Sequence, residues 1–404
     1  MKNVKIQPVL VGGDINCYSV ARAYHEAYGV KSIAFGKIRI GATNHSKIID
    51  YREGTTIEDE EAFLEKLLAL PDQEAEEGKV FIIHGCKDEY AEFIIDHRDI
   101  LSTKYIVPYI DKELKDKLIE KDSFYQICEE YNLNYPKTHV FNKGDEVVDF
   151  GFNYPVILKA SDSVTFFQHE FPGMKKAYIV QDANEFKQIT DEIYSHGYEK
   201  SLIVQDFIPG DDSHMRVLTC YSDQNGKVKM MCLGHVLLEE HTPKGIGNHA
   251  AIITEYDEEV MTKFKNFLES INYTGFSNFD IKYDTRDNTY KVFEINLRQG
   301  RSNYYVTGSG NNIAKYVVED RVENKELELK IQKEPFFWRV IPRHVVYKFV
   351  KNKDLVNKCK QLASEGKEAT SFGYKYDLSG NIKRSWYIFL YSINQIRKFN
   401  KYCK

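Results

Sequence analysis

Residues 276–298 read FSNFDIKYDTRDNTYKVFEINLR, the most informative segment of the chain. Two runs of strand-forming residues flank a turn around Asp284–Asn288, which predicts a β-hairpin. Another hairpin precedes it, MRVLTCYSDQNGKVKMMCLGHVLL (215–238), with its turn at Asn225–Gly226. A helical pattern near Glu258–Ile271 separates the two hairpins. Mixed strands with helices packed on one side predict an α+β domain.

The 276–298 hairpin carries a cluster of oxygen ligands. Glu294 and Asn296 are two residues apart on one strand, so they project from the same face. Asp280, on the preceding strand, is expected to lie nearly opposite them. Two carboxylates and an amide oxygen suit Mg²⁺, which prefers carboxylates together with waters and substrate phosphates. The alternative is an ordinary solvated sheet face, where polar residues also alternate.

Outward from the hairpins, the first hundred residues alternate strands and helices. The apolar run KIQPVLVGG (5–13) leads into a helical pattern, and KVFIIHG (79–85) is another buried strand. This alternation predicts an α/β domain with a parallel, doubly wound sheet. Gly12, Gly13 and Asp14 precede the first helix. They could form an anion site, although a plain strand–helix turn is the favoured interpretation.

Candidate phosphate-binding cations lie between these regions. Lys159 belongs to the apolar strand YPVILKA (154–160), where a cation needs an anionic partner. Lys121 lies on a helix, and Lys175 and Lys176 begin the strand KKAYIVQ. Lysine ammonium groups bind phosphates as point charges. For Lys121 alone, an ordinary surface lysine is the favoured alternative.

The strand LIVQDFIPGDD (202–212) is a candidate nucleoside-binding segment. Its extended backbone could hydrogen-bond a purine edge, and a carboxylate beyond it could accept ribose hydroxyls. The sequence PGDD is also typical of a simple turn. Both interpretations stay open on the spacing alone.

Composition limits the classes of function. The chain has 404 residues, a net charge of −5 and 42% hydrophobic residues, which is typical of a folded protein with two or three domains. No apolar run approaches the roughly 18 residues of a membrane span, and the N-terminus does not read as a signal peptide. Seven cysteines without a CxxC pair fit reduced thiols in the cytoplasm. The charge gives no reason to expect a nucleic acid partner.

The C-terminal segment differs in charge from the rest of the chain. Residues 335–404 contain 15 Lys and Arg against 4 Asp and Glu, a balance of +11, whereas residues 1–334 contain 40 against 56, a balance of −16. The sequence NIKRSWYIFLYSINQIRKFNKYCK (381–404) places aromatic and aliphatic residues among cations. It fits a helix packed on the acidic body, the favoured interpretation, or an interfacial helix in peripheral contact with an anionic membrane.

The order of these segments resembles the ATP-grasp superfamily. Its members clasp ATP between two α+β lobes and join a carboxylate to a nucleophile through an acyl phosphate. Over most of the chain before the tail, the sequence resembles more closely the D-aspartate ligases of peptidoglycan precursor synthesis. The blocks that carry this resemblance are VQDFIPGDDSHMRVL (204–218), MCLGHVLLEE (231–240), YTGFSNFDIKYD (273–284) and FEINLRQGRSN (293–303).

The resemblance implies a division of the chain into three parts. Residues 1–112 would form a Rossmann-like pre-ATP-grasp domain. Residues 113–325 would form the ATP-grasp domain, with a smaller lobe at 113–200 and a metal-binding lobe at 201–325. Residues 326–404 would form a basic, partly helical C-terminal extension.

The resemblance also implies roles for individual residues. The phosphates of ATP would be held by Lys121, Lys159 and Lys176. Adenine would be read by Gln205 and the chain at Asp206, Phe207 and Ile208, and the ribose by Asp212, with Asp211 as a competitor. The ligands of Mg²⁺ would be Asp280, Glu294 and Asn296. The substrate carboxylate and the developing acyl phosphate would face Arg298, Arg301 and Ser302.

Two departures from related families change the expected contacts. D-alanine–D-alanine ligases carry an arginine two residues before the first metal carboxylate, where this chain has Asn278. Either Arg216 or Arg298 is then expected to meet the transition-state charge. The loop after the Lys159 strand, SDSVTFFQHEFPG (161–173), has one glycine, so the hydroxyls of its serines would replace some backbone contacts. TPKGIGNHA (242–250) is the better candidate for a mobile lid.

The function implied by the resemblance is ATP- and Mg²⁺-dependent ligation. The β-carboxylate of D-aspartate would be activated and joined to the ε-amine of lysine in a peptidoglycan precursor, UDP-MurNAc-pentapeptide. A ligase for another acid or amine is the first alternative. A non-catalytic nucleotide-binding regulator is the second.

Overall fold

The computed structural model describes residues 5–38, 40–54, 57–146, 149–243 and 245–403, and within these it does not describe the side chains of residues 121, 122, 163 and 164. It contains an N-terminal domain, a smaller lobe, a larger lobe and a C-terminal segment that joins the larger lobe.

The N-terminal domain contains the parallel sheet that the sequence predicts. Its four strands pair in the order β3-β2-β1-β4, and every pairing is parallel. Buried aliphatic and aromatic residues from both faces of the sheet pack against helices, which explains the near-continuous apolar strands. Its elements are β1 (Lys5–Val11), α1 (Ile15–Tyr28), β2 (Ser32–Gly36), β3 (Ile49–Glu53), α2 (Glu60–Gln73), β4 (Lys79–Gly85), α3 (Asp88–Asp96) and α4 (Arg98–Leu101).

The smaller lobe is built on an antiparallel sheet with the order β5-β8-β6-β7. Because β8 belongs to this sheet, the smaller lobe runs to Asp206, and the boundary expected at residue 200 is too early. The stretch 161–173, expected as a loop, contains the short helix α7. Its elements are α5 (Lys112–Ile119), α6 (Lys121–Glu130), β5 (Thr138–Phe141), β6 (Val156–Ala160), α7 (Ser163–Gln168), β7 (Tyr178–Val180), α8 (Ala183–Ser195) and β8 (Leu202–Asp206).

The larger lobe contains both predicted hairpins in one eight-stranded sheet. The strand order is β13-β12-β9-β10-β11-β15-β16, and β14 pairs with β10. The β9–β10 turn closes at Gly226, whose φ of +71° is the left-handed conformation that glycine favours. Its elements are β9 (Met215–Ser222), β10 (Val228–Glu239), β11 (His249–Glu255), α9 (Glu258–Ser270), β12 (Gly275–Asp284), β13 (Thr289–Asn296), α10 (Tyr304–Gly308) and α11 (Ile313–Arg321).

The C-terminal segment is partly helical, as predicted, and it also adds three strands to the large sheet. No helix among the described residues is long and apolar enough to cross a membrane. The elements of this segment are β14 (Lys330–Ile331), β15 (Phe337–Arg339), α12 (Arg343–Phe349), α13 (Lys353–Ser364), β16 (Glu368–Thr370), α14 (Lys375–Leu378) and α15 (Ile382–Tyr402).

Candidate functional site

A β-bulge brings the predicted metal ligands together. Between the turn and Ile281 the strands β12 and β13 pair residue for residue, and then Phe293 is skipped, so that Asp280 pairs directly with Glu294. Without the bulge, Asp280 would oppose Phe293, and Glu294 would project from the other face. The amide nitrogen of Asn296 lies 3.2 Å from Asp280 Oδ2. The three side chains therefore share one face of the sheet.

The electrostatics of this face favour a bound cation. Burial and the neighbouring charge of Glu294 raise the pKa of Asp280 to about 8. On the same lobe, burial and the charge of Asp212 raise the pKa of Glu239 to about 7. Oxygen ligands of this type suit Mg²⁺, and a divalent ion would remove the repulsion between the carboxylates.

The metal-ligand set is small in the part of the chain that the structure describes. There, no group of three or more acidic, histidine or cysteine side chains is arranged to hold a metal. The candidate ligands are thus two carboxylates and one amide. Such a set fits an ion whose remaining positions are filled by water and substrate phosphates.

Lys282 connects the candidate metal face to the segment between the lobes. It lies two residues after Asp280 on β12, and its ammonium donates to the carbonyl oxygens of Ile208 (2.8 Å) and Gly210 (3.2 Å). The same nitrogen is 5.6 Å from the centre of the Phe207 ring. Residues 207–210 are therefore held against the metal strand by a cation that the sequence analysis did not identify.

The two acidic candidates for ribose binding have different surroundings. Asp211 caps a short turn, where its carboxylate accepts hydrogen bonds from the Ser213 amide (3.1 Å) and hydroxyl (2.6 Å). Asp212 accepts from the Glu239 amide (2.9 Å) and lies 2.8 Å from Nε2 of His241. Asp212 thus lies beside the acidic face, whereas Asp211 has a local structural role.

The side chains expected to read adenine are already engaged within the protein. Gln205 is buried, and its amide nitrogen donates to the hydroxyls of Tyr125 (2.7 Å) and Thr138 (2.9 Å). An amide nitrogen has two donors, so only its oxygen is left for a ligand. The carboxylate of Asp206 pairs with Arg286 at 2.6 Å. The backbone around Phe207 and Ile208 is therefore the better candidate for contact with a purine.

The predicted phosphate-binding lysines belong to the smaller lobe. Lys159 is half-buried on β6, the strand between β7 and β8. Lys176 is exposed in the turn before β7, rather than on the strand as expected. Lys121 begins α6, and its side chain lies outside the described part of the structure.

Arg298 lies where the larger lobe meets the N-terminal domain. Its guanidinium donates to Asp88 at 2.8 Å and to the carbonyl oxygen of Gln299 at 3.0 Å. Its Nε is buried without a hydrogen-bond partner among the described residues. Burial lowers the pKa of Arg298, but its hydrogen bond to Asp88 and the charges of Asp88, Asp14 and Asp280 outweigh burial and raise the pKa. Arg298 is therefore a permanent cation, and its positive charge lies close enough to the metal face to oppose the rise in the pKa of Asp280.

Arg216, the other arginine expected at the transition state, lies on the opposite face of the sheet. Val217 pairs with Asp280 across β9 and β12, so Val217 shares the metal face and Arg216 projects away from it. The guanidinium forms an ion pair with Glu255 and donates to the carbonyl oxygen of Ser213. This corrects the expectation for Arg216 and leaves Arg298 as the candidate.

A charged cluster from the N-terminal domain lies beside Arg298. Asp14 caps α1 by accepting from the amides of Asn16 (3.0 Å) and Cys17 (3.2 Å). Burial raises the pKa of Asp14, and the charges of Arg301, Arg298 and Lys87 oppose that shift. Asp14 therefore lies among the charges of Lys87 from its own domain and of Arg298 and Arg301 from the larger lobe. Lys87 and Asp88 are not predicted from the sequence, because only the packing of the N-terminal domain against the larger lobe brings them near Arg298.

The predicted lid connects the site to the last helix. A guanidinium nitrogen of Arg301 lies 3.3 Å from a carboxylate oxygen of Glu240, two residues before the lid, and Ser302 is buried beside Arg301 in the chain. Residue 244 of the lid lies outside the described residues. A crevice beside the lid is lined by Glu240, His241, Thr242, Gln395, Lys398 and Phe399. The C-terminal segment thus borders the candidate site.

Known proteins resemble this chain in sequence and in fold. No protein-family model matches the chain. The chain is 41% identical over 414 residues to the D-aspartate ligase of Enterococcus faecium (strain Aus0004), and the match covers 100% of this chain and 98% of the relative.

Two solved structures have the same fold at low sequence identity. One is N5-carboxyaminoimidazole synthetase from Staphylococcus aureus complexed with ADP (TM-score 0.58, 13% identity, 89% of this chain and 88% of that chain). The other is the biotin carboxylase domain of 2-oxoglutarate carboxylase from Hydrogenobacter thermophilus with MgADP, ADP and bicarbonate (TM-score 0.58, 15% identity, 81% and 71%). The predicted ATP-grasp fold is thereby confirmed.

Proposed function

The chain belongs to the D-aspartate ligase family of ATP-grasp carbon–nitrogen ligases, and we propose that it joins the β-carboxylate of D-aspartate to the ε-amine of L-lysine in the stem peptide of UDP-MurNAc-pentapeptide. The observation that carries the chemistry is the direct pairing of Asp280 with Glu294 on the face near Arg298. Ligation of a carboxylate to an amine requires activation of the carboxylate, and this face provides the charges for that step.

ATP and Mg²⁺ are the cofactors that fit the face. Asp280, Glu294 and Asn296 would hold the metal, which would neutralise charge on the β- and γ-phosphates. Asp212 would accept hydrogen bonds from the ribose, and the chain at Phe207 and Ile208 would contact adenine. Lys159, Lys176 and Lys121 would contact the phosphates from the smaller lobe.

Arg298 is the group that we assign to the reacting carboxylate. Phosphoryl transfer needs alignment and charge neutralisation more than covalent assistance. A buried guanidinium cannot be deprotonated in a protein, and its unpartnered Nε provides a hydrogen-bond donor for a carboxylate or an acyl phosphate. Arg298 and Arg301 would then stabilise the acyl phosphate until the deprotonated amine attacks it and phosphate leaves.

The N-terminal cluster supplies groups that match the donor. Aspartate has one ammonium group and two carboxylates. Asp14 would bind the ammonium group, and Lys87 would bind the carboxylate that does not react. Both residues lie beside Arg298, where the reacting carboxylate must be held. This arrangement would orient the donor by its charges.

The experiment that tests this function is a product assay with purified protein. ATP, Mg²⁺ and UDP-MurNAc-pentapeptide containing lysine are incubated separately with D-Asp, L-Asp, D-Ala and D-Glu, and mass spectrometry detects the product and ADP. We expect a product heavier by one aspartyl residue with D-Asp alone. ADP without that product would point to another acid or amine. No ADP from a folded protein that binds ATP would support the regulator.

We propose a cytoplasmic location, where ATP and the nucleotide-linked acceptor are present. Contact of the C-terminal segment with the inner face of the membrane would keep the enzyme near the later, lipid-linked precursors. This contact is a separate property of the chain and is not needed for the chemistry.

A further inference from the structure

The last helix, α15, carries large apolar residues on both its inward and its outward side. Its inward side carries Arg384, which is fully buried, together with Gln395 and Phe399, which are almost fully buried. Its outward side carries Ile382, Trp386, Phe389 and Leu390, which are 83%, 60%, 53% and 45% exposed. A helix that only packs against its own protein has a polar outward side, so the four exposed apolar residues need a separate explanation.

The orientation of α15 is fixed by a buried ion pair. Nε of Arg384 lies 3.2 Å from Asp377 Oδ2, and neither side chain is accessible to solvent. The same guanidinium donates to the carbonyl oxygens of Gly41 (3.2 Å) and Asn44 (2.9 Å) and lies 4.4 Å from the centre of the Tyr18 ring. Rotation of the helix would leave this charge buried without partners, so the apolar residues stay outward.

The outward residues form one continuous patch. Ile382, Trp386, Phe389 and Leu390 are spaced by four, three and one residues, which places them on one side of a helix with 3.6 residues per turn. The rings of Trp386 and Phe389 lie 5.5 Å apart. Single exposed apolar residues are normal on a protein surface, whereas a contiguous group of large ones marks an interaction site.

The charges around the patch select its partner. Residues 382–402 contain no Asp or Glu. The exposed cations Lys383, Arg397 and Lys401 lie along the same helix. The segment from residue 335 onward carries a balance of +11, although the rest of the chain is acidic. An aromatic and aliphatic stripe beside cations matches the headgroup region of an anionic bilayer.

We propose that the outward side of α15 (Ile382, Trp386, Phe389 and Leu390, with Lys383, Arg397 and Lys401) binds the surface of an anionic lipid bilayer. The helix would lie flat in the interface, with the four apolar side chains among the acyl chains and the cations at the phosphates. The 21 residues of α15 form a rod of about 30 Å for this contact. Membrane binding is independent of the ligase reaction, because none of these residues belongs to the site.

The chain contains its own reporter for this contact. It has two tryptophans, of which Trp338 is fully buried and Trp386 is mostly exposed. We expect that vesicles of phosphatidylglycerol and phosphatidylcholine shift the emission of Trp386 to shorter wavelength and protect it from acrylamide. Vesicles of phosphatidylcholine alone should produce a much smaller change, because they do not attract the cations. Unchanged emission with the anionic vesicles would overturn the proposal.

Two variants test whether membrane binding depends on the outward side of α15 or on exposed apolar residues elsewhere. The triple change Ile382→Ser, Phe389→Ser and Leu390→Ser keeps the tryptophan and should lower the vesicle-bound fraction in flotation by about tenfold or more. The matched control, Ile100→Ser with Ile179→Ser, changes two exposed apolar residues elsewhere and should bind like wild type. Equal binding of the triple variant and wild type would overturn the proposal.

Two further measurements distinguish membrane binding from ligase activity and from self-association of the chain. Ligase activity in solution should be unchanged in the triple variant, so an inactive wild type and a failure of membrane binding are separate results. Light scattering without lipid reports whether the patch joins two copies of the chain. A dimer that the triple variant abolishes, together with no flotation of wild type, would assign the patch to self-association instead.

Discussion

A guanidinium nitrogen of Arg298 lies 2.8 Å from a carboxylate oxygen of Asp88, and this contact joins the strand of the candidate metal ligands to the N-terminal domain. Arg298 follows β13 in the larger lobe, whereas Asp88 begins α3. The contact therefore connects the proposed phosphate face to the proposed donor cluster. Arg298 is therefore in a position to contact both the phosphates of ATP and the D-aspartate donor in the proposed reaction.

Replacement of Arg298 by Ala should lower kcat by about 10²–10³-fold, because a buried cation that contacts the developing charge would be lost. ADP release in the presence of D-Asp and acceptor measures this loss. Arg286→Ala is the control, since Arg286 is an exposed arginine in the same lobe that pairs with Asp206 and Asp284. An equal fall in kcat in Arg286→Ala would contradict a specific role of Arg298 in the reaction.

Asp280→Asn should abolish activity and leave the fold at least as stable as wild type. The change removes a carboxylate that faces Glu294 in a half-buried position, so it relieves repulsion in the protein without metal. Differential scanning fluorimetry should show that MgADP raises Tm in wild type but not in the variant. An equal MgADP shift in both proteins would contradict the assignment of Asp280 as a metal ligand.

Stability without metal should fall as the pH rises from 6 to 8.5. The pKa of Asp280 is raised to about 8 and that of Glu239 to about 7, so in this range the folded state binds more protons than the unfolded state. The stability that these groups contribute is fully present below their pKa in the unfolded state. It is lost as the pH rises through their pKa in the folded state. Because both groups are half-buried, we expect each to lower the free energy of unfolding by less than ~1.4 kcal/mol per pH unit.

Tm measured across this pH range, with and without Mg²⁺ and nucleotide, checks the expected slope. The double variant Glu239→Gln with Asp280→Asn is the control, because it has neither proton to release. Its curve should be flatter than that of wild type. Parallel curves for the two proteins would assign the pH dependence to other groups.

Arg384→Met should destabilise the protein by about 3–5 kcal/mol, because it leaves Asp377 buried without its cationic partner. Urea unfolding measures this change in free energy. Lys367→Met is the matched control in the same segment, since its ion pair with Glu365 is exposed and should contribute less than about 1 kcal/mol. Equal effects of the two changes would show that the buried pair does not hold α15.

The sequence predicted the elements that depend on local patterns. Strand periodicity and turn residues located both hairpins of the larger lobe, and the spacing of Glu294 and Asn296 placed them on one face. The exact pairing could not be predicted, because a bulge at Phe293 shifts β13 by one residue. That shift decides whether Glu294 or Phe293 faces Asp280.

Contacts between distant parts of the chain could not be predicted from the sequence. Arg216 has a suitable charge and position in the sequence, but the pairing of Val217 with Asp280 turns it to the other face. Asp88 meets Arg298 only because two domains pack together. Arg384 is one of several cations in the last segment, and only its contact with Asp377 shows that it faces inward.

Lys87→Gln should raise KM for D-aspartate by about tenfold, with kcat and KM for ATP nearly unchanged, because the lysine would bind the carboxylate that does not react. Lys87 is exposed at the start of α3 and lies close enough to Asp14 for each to shift the pKa of the other. Initial rates at saturating ATP and acceptor give the two constants. Lys104→Gln is the control, because Lys104 is a lysine of the same domain paired with Asp72. A similar KM in both variants would move the donor away from Asp14, whereas a fall in kcat alone would place Lys87 at the reacting carboxylate.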